Sequence, residues 1–307
     1  GDNNVGKIWL GKNHLDEFKN TERFGIFYHE MTHCFQYCAS WDGASFYASH
    51  TSEMGAQFSV LRKYPDWMDM QPYHIEEFLK NTHLAFCHET NIYHSPYVFE
   101  YWEINRGPKF THKLWDESKV EDNSDPVAIY KRLTGINQEE FNDEIFDIYR
   151  HFITWDIPSI KDASKNYANK HICKVNKNNN LYEIDKQYCP QSYGYNGIGL
   201  VTPESGKEIT LSFIGINDDK NYTIPDIDEL GWRYGFVAVD SKGECKYSDF
   251  GKDEKGTLRF IVPEGTVKLW LVVMGAPTKH HKHEVQNSEP DVNKRKYSQF
   301  PYKFSIS

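Results

Sequence analysis

The sequence predicts an α+β protein, mainly helical in its first half and an antiparallel β-sandwich in its second. Three observations carry this reading. Apolar residues recur at spacings of three and four through most of the first 160 positions, the period of a helix face. Beyond Trp155-Asp156 the texture breaks into short apolar or alternating runs separated by turn residues, as in the strands of a sandwich. A chain of 307 residues is also long enough for two cores. Three segments are therefore expected: a helical domain over 1–160, a loop-rich connector over 161–194 and a β-sandwich over 195–307.

From Thr21 to about Cys38, the residues Phe24, Phe27, Met31, Cys34 and Cys38 line one helix face, with Asn20 or Thr21 placed to cap it. A second helix from about Ser52 to Leu61 has Met54, Phe58 and Leu61 as its apolar side, and Pro65 lies beyond its end. Further helices are expected near Ile75–Phe86, Val98–Ile104, Pro126–Leu133 and Glu139–Phe152. Ahead of them only Lys7–Leu10 reads as a strand. The polar run Asn176-Lys177-Asn178-Asn179-Asn180 and the glycines Gly194, Gly197 and Gly199 mark the connector and its end. Strands follow at Ile209–Ile214, Tyr234–Val239, Thr257–Val262 and Val267–Val273, with a last one near Tyr302–Ile306.

A net charge of -9 repels phosphate backbones and anionic lipid, and no Lys/Arg stripe compensates it, so a nucleic-acid partner is not expected. No apolar stretch approaches the roughly 18 residues that span a bilayer. The start Gly1-Asp2-Asn3-Asn4 has no targeting character, so any leader is expected to have been removed. Six cysteines contain no CxxC pair, which disfavours a cysteine-based zinc site. Cys173 and Cys189 flank a short polar loop and are candidates for a disulfide, the alternative being six thiols of a reducing compartment.

The chemical signal is Tyr28-His29-Glu30-Met31-Thr32-His33, an H-E-x-x-H run inside the first long helix. Four residues is about one helical turn, so both imidazoles project from one side and can meet one Zn2+ at roughly 2.0–2.1 Å. Glu30 sits beside the pair and is free to act as a base. A catalytic zinc needs a third protein ligand and one open position. The residues after His33, Cys34-Phe35-Gln36-Tyr37, exclude the metzincin pattern, which places a third His soon after a Gly. Glu53, at the head of the second helix and off its apolar stripe, is the expected third ligand, and Gly55 and Ala56 would let that helix pack closely. His50 is the rival ligand, although its place just before the helix suits a supporting role better.

The run Phe27-Tyr28-His29-Glu30-Met31-Thr32-His33, an aromatic at Phe35, Gln36, and Glu53 followed by Ala56 and an aromatic resemble the plant basic secretory protein family, a proposed gluzincin-type peptidase group. That resemblance covers about residues 8–64. Over the whole chain, the runs Gly231-Trp232-Arg233-Tyr234-Gly235-Phe236-Val237-Ala238-Val239 and Val272-Val273-Met274-Gly275-Ala276-Pro277 resemble an uncharacterised family of secreted microbial proteins with a zincin-like domain ahead of a β-domain. The resemblance implies a secreted zinc metallopeptidase with His29, His33 and Glu53 on the metal and Glu30 as base. Two departures accompany it. The plant family has an acid four residues after the ligand Glu where this chain has Gln57, which can still accept a His N–H through its amide oxygen. Zincins also place several strands before the active-site helix, including the edge strand that pairs with substrate, so the front of the domain is expected to be incomplete. In that case the face bearing Phe24, Phe27, Met31 and Cys34 lacks its sheet, unless helices from residues 75–150 close over it.

The oxyanion of a tetrahedral intermediate also needs a donor. The stretch from His88 to Tyr97 offers His88, Tyr93, His94 and Tyr97, of which Tyr93 and His94 are the preferred candidates. Thr278-Lys279-His280-His281-Lys282-His283 reads as a solvated loop more readily than as a metal grip. Trp232, Tyr234 and Trp270 could form a sugar-stacking platform, but at strand spacing they read more readily as core. The expectation is zinc-dependent hydrolysis of extracellular proteins or glycoproteins, with possible glycan contact through the β-domain. Its rivals are an inactive zincin scaffold that binds glycan or protein, and a zinc-dependent deacetylase or esterase.

Overall fold

A computed structural model describes residues 6–9, 11–17, 20–43, 49–122, 124–283 and 297–307. The protein is α+β, with a helical N-terminal part followed by an antiparallel, strand-rich C-terminal part. The helical part holds α1 (Lys12–Glu17), α2 (Asn20–Trp41), α3 (Ser49–Lys63), α4 (Trp67–Met70), α5 (Pro72–Lys80), α6 (Tyr97–Arg106), α7 (Phe110–Asp116), α8 (Pro126–Thr134), α9 (Gln138–Phe152) and α10 (Lys161–Ser164). Local chemistry sets several ends. Asp125 caps α8 by accepting from the amides of Val127 and Ala128, and Pro126 supplies a preset first residue. Asn137 and Glu140 form a reciprocal capping box on α9. Gly43, at φ +99°, follows α2, where a residue with a Cβ would be strained.

The strands are β1 (Val175–Asn178), β2 (Leu181–Ile184), β3 (Tyr195–Leu200), β4 (Glu208–Gly215), β5 (Trp232–Asp240), β6 (Cys245–Gly251), β7 (Lys255–Ile261), β8 (Thr266–Gly275) and β9 (Tyr302–Ile306). They form a five-stranded sheet, β1-β2-β9-β4-β7, and a four-stranded sheet, β3-β8-β5-β6, with antiparallel neighbours throughout. Trp232, Tyr234 and Phe236 of β5 join Phe213, Leu271 and Tyr302 in the core between the sheets. The alternate residues Val237 and Val239, with Val272 and Met274 of β8, join the core of the helices, including Phe146 and Phe152 of α9. The four-stranded sheet is therefore buried on both faces, which is why β5 reads as a nearly continuous apolar run.

Several expectations change on this fold. The segment 161–194, expected as loop, carries the β1–β2 hairpin, whose turn uses Asn179 at φ +55°. Alternation in so polar a run is too weak to announce strands. Gly197 sits inside β3 because a Cβ there would come within 2.7 Å of Ile153 and 3.0 Å of His171, so this glycine serves close packing of the sheet on the helical part. Residues 6–9 lie in no strand, and Leu10 is outside the described residues, as are the side chains of Asn20 and Thr21. The Cys173–Cys189 disulfide does not form, and all six cysteines are free. Trp232, Tyr234 and Trp270, in contrast, are 1%, 1% and 8% exposed and build core, as their strand spacing suggests.

Helices from 75–150 close over the apolar face of α2 only in part: Met31 and Cys34 are half-buried, but Phe24 and Phe27 remain 59% and 38% exposed, as do Phe35 and Trp41 nearby at 68% and 55%. Next to this face a groove of about 380 Å³ runs between α2, α3 and α7, lined by Met31, Phe35, Phe58 and Trp115 among others. The purified chain should therefore bind a dye for exposed apolar surface, and the paired change Phe24→Ser with Phe35→Ser should cut that fluorescence without lowering the melting temperature. An unchanged signal would mean the dye sits elsewhere. Phe146→Ala should cost about 3–5 kcal/mol and lower the helical and sheet transitions of a denaturant melt together, because both share its core.

Candidate metal centre

Helix α2 carries His29 and His33 one turn apart, and α3 packs along it with Glu53 facing the pair. The two Nε2 atoms are 3.1 Å apart, and Glu53 Oε2 lies 3.1 Å from His29 Nε2 and 3.3 Å from His33 Nε2. A tetrahedral ion held at about 2.0–2.2 Å requires ligand-to-ligand edges of roughly 3.3–3.6 Å, so these atoms already span close to one face of such a tetrahedron. Two ring nitrogens and a carboxylate oxygen also match the donor set of zinc. Among the described residues, this trio alone brings three ligand atoms of His, Cys, Asp or Glu within 4.8 Å of one another. The side chain of His50, the rival ligand, lies outside the described residues.

Gln36 orders the centre. The outer nitrogen of His33, Nδ1, donates to Gln36 Oε1 at 2.8 Å, and Gln36 Nε2 donates onward to the backbone carbonyl of Ser52 at 3.0 Å. The first bond fixes the tautomer of His33 so that its Nε2 lone pair faces the trio, and the second ties α2 to the residue preceding Glu53. Gly55 is required here, since a Cβ would stand 2.9 Å from Gln36 Nε2. Gln57, expected to support a histidine, instead accepts from the indole N–H of Trp67 at 3.2 Å. The helical spacing of three from His33 was the available sign that Gln36 takes this part.

Burial by itself would raise the Glu53 pKa, but hydrogen bonds with His29 and His33 and their charge outweigh it and hold the carboxyl at about 2. For His33 burial works downward, and the bonds to Glu53 and Gln36 with the charges of Glu53 and Glu30 bring it above its ordinary value. Tyr93 stacks on His29 with ring centroids 6.2 Å apart and planes at 23°. Burial, then the charge of Glu53 and a hydrogen bond to it, push the Tyr93 phenol up to about 12, so it remains a donor near neutral pH.

The other candidates of the 88–97 stretch have partners outside the trio. His94 faces His74, with the Nδ1 atoms 3.1 Å apart. His88 packs against the ring of Tyr297, which itself stacks on His283, and Tyr97 is core against Trp155. The His280–His283 run converges on no metal: His280 bonds Asp125 and Tyr193, and His281 bonds Glu229. Glu30 is solvent-exposed and lines a cleft of about 350 Å³ with His33, Cys34 and Tyr37, opposite Gly6, Lys7, Ile8 and Trp9. The cleft thus brings water to the acid and to the ring of His33, while His29 and Glu53 are not part of its lining.

Gln36→Leu should leave the fold intact and weaken zinc binding about 10–100-fold, measured by competition with a chromophoric chelator. Equal affinity in the variant would remove Gln36 from the centre.

No curated protein matches the sequence. Among solved structures, the Glycosylation Associate Protein (Gap123) complex of Streptococcus agalactiae is similar at 9% identity and TM-score 0.22, over 44% of this chain and 38% of that one. Accessory secretory proteins 1, 2 and 3 of Streptococcus pneumoniae are similar at 10% identity and TM-score 0.22, over 44% of this chain and 84% of that one. A GH115 4-O-methyl-α-glucuronidase with specificity for decorated arabinogalactans is similar at 7% identity and TM-score 0.22, over 99% of this chain and 34% of that one. The chain thus spans well under half the length of the first and third of these. One family model matches the chain across residues 1–307, and the chain accordingly belongs to DUF6055, a family of unknown function.

Proposed function

We propose that this chain is a zinc-dependent hydrolase of peptide bonds in extracellular proteins or glycoproteins, with His29, His33 and Glu53 as metal ligands. The observation that carries the reading is the convergence of the three ligand atoms at 3.1–3.3 Å beside an exposed Glu30. Zinc, when bound, lowers the pKa of a water and polarises a carbonyl. Glu30 accepts the proton of the attacking water and passes it to the leaving amine. Tyr93, stacked on His29 and kept protonated, donates to the oxygen that gains charge in the transition state. The carboxylate of Glu53 offsets the charge of the cation, and Gln36 holds His33 in register through a neutral amide.

No helix among the described residues is long and apolar enough to cross a membrane. The extracellular setting rests on the family resemblance, since the six free cysteines supply no disulfide in its support. A glycan partner would use residues of the β part other than Trp232, Tyr234 and Trp270, which are core. The rival reading, a scaffold that binds without hydrolysis, is favoured by one observation: residues 6–9 beside the cleft lie in no strand, so no described sheet edge stands there to pair with an extended peptide.

Elemental analysis of untagged protein should find about one zinc per chain, retained in Glu30→Gln and lost in His33→Ala. Glu30→Gln should abolish cleavage of casein or a glycopeptide library, and Tyr93→Phe should lower kcat about 10²–10³-fold with little change in KM. Full activity in Glu30→Gln would remove the assigned base. A folded, zinc-loaded and inert wild type would favour the scaffold.

A further inference from the structure

The cleft beside Glu30 has two walls of different origin. Helix α2 contributes Glu30, His33, Cys34 and Tyr37, and the segment 6–9 contributes Gly6, Lys7, Ile8 and Trp9. Trp9 is 91% exposed, and an indole left in water beside a candidate site offers a large, stiff apolar face at little entropic cost to whatever binds there. It does not stand alone. Tyr37 lines the same cleft and is steadied by an edge-to-face contact with Trp41, the ring centroids 6.1 Å apart and the planes at 69°. The segment that carries Trp9 lies tight against α2, since a Cβ at Gly6 would come within 2.6 Å of Cys34 Cβ.

Residues 6–9 lie in no strand, so a peptide in this cleft finds no described ladder of backbone hydrogen bonds and its grip must come from side chains. The volume narrows the choice. At about 350 Å³ the cleft is near the lower end of the range of ligand pockets, roughly 300–1,000 Å³, which suits one large side chain with its flanking backbone. We infer that the cleft selects peptides by one aromatic residue, Phe, Tyr or Trp, whose ring packs on Trp9 and Tyr37. Ring-on-ring packing adds to the burial of apolar area, so a flat ring should be favoured over a saturated side chain of the same size. This deepens the proposed function and rests on it for one point, that the aromatic residue lies next to the bond that is cut.

Anisotropy of fluorescent, alanine-rich hexapeptides on the Glu30→Gln protein with zinc added tests the inference without turnover. The peptides differ at one guest position, filled by phenylalanine, cyclohexylalanine or alanine. The phenylalanine peptide should bind about 3–10-fold more tightly than the cyclohexylalanine one, and alanine should bind weakest. Adding Trp9→Ala should remove the difference between the two rings, Tyr37→Ala should reduce it, and Trp9→Phe should keep most of it. Trp9 is too exposed for its loss to unfold the chain. Equal affinity for the two rings would overturn the inference, as would no binding of the phenylalanine peptide or a preference that survives Trp9→Ala with Tyr37→Ala. Cleavage by the wild type separates the two readings. Cuts with no enrichment of aromatic residues beside them would sink the inference and leave the hydrolase standing, whereas selective binding by an inert wild type would sink the hydrolase and leave the selective cleft.

Discussion

The contact on which the candidate centre depends is the amide of Gln36, held between the ring of His33 and the carbonyl of Ser52. It joins two helices through a group with no net charge, and each of its two ends can pair in one way only. Removing it would leave the Nδ1–H of His33 without this partner, a cost of about 1–3 kcal/mol, and would cut the tie to α3. The bare backbone at Gly55 makes room for it. The position of Glu53 against His29 and His33 therefore follows from a polar clamp as much as from apolar packing. A hydrophobic contact of the same area would tolerate a slide of α3 along α2, whereas a bidentate amide does not.

The rest of the molecule supplies stiffness. The four-stranded sheet is buried on both faces, so the helices lie on one side of β5 and β8 and the second sheet on the other. Polar ties reinforce the apolar layer: Arg150 of α9 donates to the carbonyl of Ser248, Arg233 of β5 pairs with Asp143 of α9, and Trp270 of β8 donates to Asn169. In contrast, α2 is covered on one side only. Its outer face presents aromatic rings to solvent while its inner face carries the centre.

Electrostatics separates the roles of the acidic groups around the histidines. Glu53 is half-buried between two imidazoles and held as a carboxylate down to about 2, suited to a fixed anionic ligand. Glu30 is one residue from His29 yet exposed at the cleft, suited to exchange protons with water. Burial first, and then the charge of the same Glu53 carboxylate, keep the Tyr93 phenol protonated.

Much of this was legible in the sequence, and the physical reason is locality. The helix under His29, Glu30 and His33, the one-turn spacing that aligns the two rings, and the strands at Tyr234 and Val267 follow from periodicity within a few residues. Glu53 was legible because it stands on the polar side of an amphipathic helix, although that helix starts a turn earlier than its sequence suggests. The β1–β2 hairpin and the role of Gly197 were not, since polar strands lack alternation and a glycine's neighbours come from distant segments. Gln36 and Gln57 show the division most clearly. Both are buried glutamines near the histidines, and composition cannot tell them apart. Which one supports His33 and which one receives Trp67 was decided by how α2, α3 and α4 pack, because a hydrogen bond is made only where the fold brings a donor and an acceptor to within about 3 Å.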